Sequence, residues 1–91
     1  MNKETIKRLV VSLDDDMSTL STANPSIYAN IYADKYNAIL HELKLLYKDD
    51  LFIQGLKELV TVNNDNSMEL TRLFRNANIS TKQLKAFLEG E

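Results

Sequence analysis

The 91-residue chain contains no cysteine, only two glycines and a single proline. The lack of cysteine excludes disulfide frameworks, thiolate metal sites and cysteine nucleophiles. Because glycine occurs only at Gly55 and Gly90, the glycine-rich loops that bind phosphates are also excluded. No apolar run approaches the roughly 20 residues that cross a bilayer, and the charged start of the chain is unlike a signal peptide. We therefore expect a cytoplasmic protein that does not bind membranes.

The composition is that of an ordinary globular protein. Hydrophobic residues make up 44% of the chain and charged residues 26%, which argues against intrinsic disorder. The length suits one domain, spanning residues 1–91. A net charge of −2 gives no overall attraction to nucleic acid or to acidic membranes.

The apolar residues recur at helical spacing, which predicts an all-α bundle of about five helices. The first two helices are predicted at residues 3–22 and 25–48. Asn24-Pro25 separates them because proline disfavours helical geometry in the residue before it. A third helix is predicted at 51–62, and the remaining two, the shorter pair, within residues 70–88.

The long second helix carries an aromatic and aliphatic seam at steps of three and four residues. Further apolar residues flank this seam on both sides, so the apolar arc is wider than one neighbouring helix covers. They are Ile27, Ile31, Ala38 and Leu45 on one side and Ala29, Ala33, Leu40 and Tyr47 on the other. Such a stripe is typical of a dimer interface or of an ordinary core boundary. We expect a homodimer whose interface includes Tyr28, Tyr32, Tyr36, Ile39 and Leu43.

Residues 70–88 resemble the helix-turn-helix unit that places its second helix in a DNA groove. Asn78 suits a helix C-cap, and Ser80 with Gln83 forms a capping box. All thirteen acidic residues lie outside this stretch. A helix pair of purely structural role with a solvated basic face is the alternative. If the unit binds duplex DNA, the contacting residues are Arg72, Arg75, Ser80, Thr81, Lys82 and Lys85.

No set of residues with catalytic or metal-binding chemistry is recognisable. Asp14, Asp15 and Asp16 point about 100° apart on a helix, so they do not converge on one ion and are expected on a solvated face. His41 is expected to be exposed and non-catalytic. We therefore predict no cofactor, no metal and no small-molecule substrate. The leading hypothesis is a non-enzymatic module for protein–protein interaction, and the alternative is a DNA-binding regulator.

Overall fold

The computed structural model describes residues 2–20 and 25–91, which form four α-helices, one 3-10 turn and no strand. The predicted all-α class is confirmed, but about five helices were expected. The predicted break at Asn24 lies outside the described residues. The elements are α1 (Lys3–Leu20), a 3-10 turn (Pro25–Tyr28), α2 (Ala29–Leu46), α3 (Leu51–Gly55) and α4 (Ser67–Glu89).

The three long helices, α1, α2 and α4, pack against one another around a single apolar core. Each contributes residues at steps of three and four, the spacing that places side chains on one face of a helix. On α1 the buried apolar residues are Ile6, Val10, Leu13 and Met17. None of the helices in the described part of the chain is long and apolar enough to span a membrane.

The C-terminal part of the chain is one continuous helix, so the predicted helix-turn-helix pair is wrong. Asn78 and Ser80 lie within α4, which runs without a break from Ser67 to Glu89. Asn and Ser each cost only about 0.5 kcal/mol in a helix interior, which burial of a continuous face outweighs. That face consists of Leu70, Leu73, Phe74, Ala77, Thr81, Leu84 and Leu88.

The third predicted helix, 51–62, is much shorter in the structure. The Asp50 side chain caps α3 by accepting a hydrogen bond from the backbone N–H of Ile53 (3.0 Å). The helix ends at Gly55, and Leu56 has extended backbone angles. Residues 56–62, here called the extended segment, form no regular element.

Two asparagines of α2 hold the extended segment through its backbone. Asn37 donates a hydrogen bond to the carbonyl of Leu59 and accepts one from its N–H, both 2.8 Å long. Asn30 does the same for Val62, at 2.7 and 2.9 Å. Seven helical residues span about 10.5 Å, and three extended residues span about 10 Å, so the spacings match. These four hydrogen bonds replace those that a helix would have made.

Candidate protein-contact face

The six residues predicted to contact DNA do not form one exposed surface. All six lie on α4, and Thr81 is fully buried in the core. The Arg72 guanidinium pairs with Glu69 at 3.1 Å, one turn earlier on the same helix. The Ser80 side chain is hydrogen-bonded to Tyr36 of α2. Burial raises the pKa of Tyr36, and this hydrogen bond partly offsets the rise. Arg75 is exposed on α4.

The two lysines of this set, Lys82 and Lys85, are paired with Asp14 of α1. Their ammonium groups lie 2.7 Å and 3.4 Å from its two carboxylate oxygens. The hydrogen bond from Lys82 is the main cause that lowers the pKa of Asp14, partly opposed by burial of the carboxyl group. Asp14 was expected on a solvated face, and the structure corrects this, because Asp14 is buried and joins α1 to α4.

The predicted interface seam of α2 is core in this structure. Tyr32, Tyr36, Ile39 and Leu43 are buried within the chain, and Tyr28 is about one-third exposed. The ring of Tyr32 packs edge-on against Phe74 of α4, with 6.0 Å between their centroids. Four of the five seam residues therefore pack α2 against its own chain, and of the five only Tyr28 presents substantial surface to solvent.

The face of α2 that points away from the core carries an exposed apolar row. Ile31, Ala38 and Leu45 recur every seven residues, and all three are exposed. Ile31 retains 51% of its accessible surface and Leu45 retains 54%. The row extends for about 21 Å along the helix. We call these three residues the outer strip of α2.

An open groove runs beside the outer strip, between α1 and α2. Leu9, Ser12 and Asp16 line its α1 side, and Lys35 and Ala38 line its α2 side. Leu9 is partly exposed, so apolar surface continues from the outer strip onto α1. The Lys35 ammonium lies 5.6 Å from the ring centroid of Tyr32. The groove and the outer strip together form one surface, here called the α1–α2 face.

The α1–α2 face combines apolar side chains with the charged groups of Asp16 and Lys35. Within the described residues, no group of three metal-ligating side chains is close enough to hold an ion. No family model, curated protein or solved structure matches this chain. Ile31, Ala38 and Leu45 were expected only to flank the seam, although they recur every seven residues in the sequence. That spacing is the signal that identifies the outer strip.

Proposed function

We propose that this chain is a non-enzymatic helical module that acts through protein contacts, pairing with a second copy of itself along the outer face of α2. The observation that carries the proposal is the outer strip. Single exposed apolar residues are common on proteins, whereas an aligned apolar row is typical of a contact site. Pairing two such rows removes both from water.

The charges beside the outer strip support a second copy as the partner. Lys35 lies three residues before Ala38, and Glu42 lies four residues after it on the same side of the helix. A strip with a positive charge near one end and a negative charge near the other complements itself when one copy is reversed. No second protein is needed to explain this pattern.

Replacement of Ile31 by glutamate tests the proposal, with Ile79→Glu as the matched control. Both isoleucines lie within long helices and both are 51% exposed, but Ile79 is on α4, away from the α1–α2 face. We expect the wild-type protein to dimerise with a dissociation constant of roughly 0.1 mM, because the contact is smaller than a standard interface. Ile31→Glu should weaken dimerisation at least about tenfold, because the substitution buries a charge in the contact. Ile79→Glu should leave the dissociation constant unchanged.

The measurement is solution mass by sedimentation, from about 10 μM to about 1 mM, a range that brackets the expected constant. Wild-type mass should rise from 10.4 kDa towards twice that value. A wild-type protein that stays at 10.4 kDa throughout contradicts the proposal. An equal loss of association in both variants also contradicts it, since the effect would then not belong to the outer strip.

A further inference from the structure

We infer that the two copies pair in antiparallel orientation, related by a twofold axis that crosses the α1–α2 face at the level of Ser12 and Ala38. This inference rests on the self-association proposed above and specifies how the second copy is oriented. It follows from the positions of charged and apolar residues along the two helices of the face.

The levels of the two helices are set by two contacts. The Lys3 ammonium lies 4.9 Å from the ring centroid of Tyr47, so the start of α1 is beside the end of α2. Ser12 and Ala38 line the same groove. Nine residues separate Lys3 from Ser12, and nine separate Ala38 from Tyr47. The helices therefore run in opposite directions, with Ser12 and Ala38 at about the same level.

A twofold axis at this level makes α2 complementary to its own copy. Ile31 and Leu45 are each seven residues from Ala38, so Ile31 meets Leu45 of the second copy. Lys35 of each copy lies opposite Glu42 of the other copy, with an offset of one residue, about 1.5 Å along the helix. Ala38 meets itself at the centre, where its small side chain lets the two helices approach closely.

The same axis also pairs the charges of α1. Arg8 lies four residues before Ser12 and Asp16 lies four residues after it, and both are exposed. Reversing one copy brings Arg8 opposite Asp16 of the second copy. The antiparallel arrangement therefore joins opposite charges on both helices of the face.

A parallel arrangement lacks this match. It places α1 beside the extended segment of the second copy, which runs antiparallel to α2 because Leu59 bonds Asn37 and Val62 bonds Asn30. Lys57 lies two residues before Leu59, about 6–7 Å along the segment, which brings it to the level of Arg8. Two like charges then face each other, which disfavours the parallel pair.

Cysteine cross-linking distinguishes the two orientations, and the chain offers a clean background because it has no cysteine of its own. In the antiparallel dimer, a mixture of Ile31→Cys and Leu45→Cys proteins forms an oxidised heterodimer. Neither protein cross-links to itself, because the same residue in the two copies of an antiparallel dimer is separated by about 21 Å, beyond the reach of a disulfide. Ile79→Cys, on α4, is the control and should stay uncross-linked in every mixture.

Efficient self-cross-linking of Ile31→Cys, or no cross-link in the mixture while the wild-type protein is dimeric, overturns the antiparallel inference alone. A wild-type protein that is monomeric at about 1 mM overturns the proposed function as well. Far-ultraviolet circular dichroism confirms that each variant remains helical.

Charge reversal gives an independent measurement. The variant Arg8→Glu/Lys35→Glu carries only acidic side chains at the four paired positions, and Asp16→Lys/Glu42→Lys carries only basic ones. Each protein alone should associate at least about tenfold more weakly than wild type, and the mixture should form a heterodimer. A mixture that associates no better than either protein alone contradicts the proposed charge pairing.

Discussion

At the scale of single residues, Asp14 is the only buried charged side chain in the described part of the chain. Replacing it with asparagine removes the negative charge and one of the two oxygens that accept hydrogen bonds from Lys82 and Lys85. Because both lysines remain partly exposed and regain water, we expect a loss of about 1–2 kcal/mol in the free energy of unfolding at pH 7. Urea unfolding measures this, and Asp15→Asn, at the exposed neighbour, should leave stability unchanged.

The contribution of Asp14 has a definite pH dependence. Its lysine partners lower its pKa in the folded chain below the ordinary value of 3.8. A carboxyl group of this kind stabilises the fold fully above about pH 4, and the stabilisation is lost as the pH falls through the folded pKa. The stability difference between wild type and Asp14→Asn should therefore shrink below about pH 4. A difference that stays constant down to about pH 2 would show that Asp14 acts through packing alone.

At the scale of elements, the extended segment depends on α2 rather than on its own secondary structure. Asn37→Ala removes both hydrogen bonds to the backbone of Leu59, so we expect a loss of about 1–2 kcal/mol. Amide hydrogen exchange at Leu59 should speed up more than exchange at Val62, which Asn30 still holds.

The matched control for this prediction is Gln83→Ala, at an exposed amide side chain of α4 that does not line the groove beside the extended segment. It should change the hydrogen-exchange rate of neither the Leu59 amide nor the Val62 amide. If Asn37→Ala leaves the exchange rate of Leu59 unaltered, the extended segment is held by its apolar side chains and not by the asparagine pair.

At the scale of the whole molecule, the proposed self-association links thermal stability to protein concentration. Ligands that bind only the folded state stabilise it by mass action, and in this proposal the ligand is a second copy. Between about 10 μM and 1 mM we expect the Tm of the wild type to rise by several degrees, since about 1 kcal/mol shifts Tm by 4–8 °C in a domain of this size. Ile79→Glu should keep this dependence, and Ile31→Glu should lose it. A wild-type Tm that does not vary with concentration would contradict dimerisation of the folded chain.

Much of the fold follows from local sequence patterns. The buried stripes of α1 and α2 are visible as apolar residues at helical spacing, because this spacing depends only on the geometry of the helix. The helix N-cap at Asp50 can likewise be predicted from the sequence, since it needs only a carboxylate and the N–H groups of the next turn. These features predict the all-α class without reference to any distant part of the chain.

The continuity of α4, the conformation of residues 56–62 and the role of each α2 face were decided only in the tertiary structure. Helix caps at Asn78 and Ser80 would each stabilise a break by about 1 kcal/mol, which is less than burial of the continuous α4 face contributes. That face includes Thr81, a polar residue whose burial no hydropathy pattern predicts. Residues 56–62 have a helical apolar period but are not helical, because the side-chain amides of Asn30 and Asn37, which are distant in sequence, bind their backbone.

The sequence by itself determined that α2 has more apolar surface than one neighbour covers, because that depends only on composition and helical period. Which part stays exposed was determined by where α1 and α4 pack. They cover the tyrosine seam and leave Ile31, Ala38 and Leu45 in contact with water. Local patterns specify which helix faces are apolar, but competition among all the contacts in the chain selects the face that is buried.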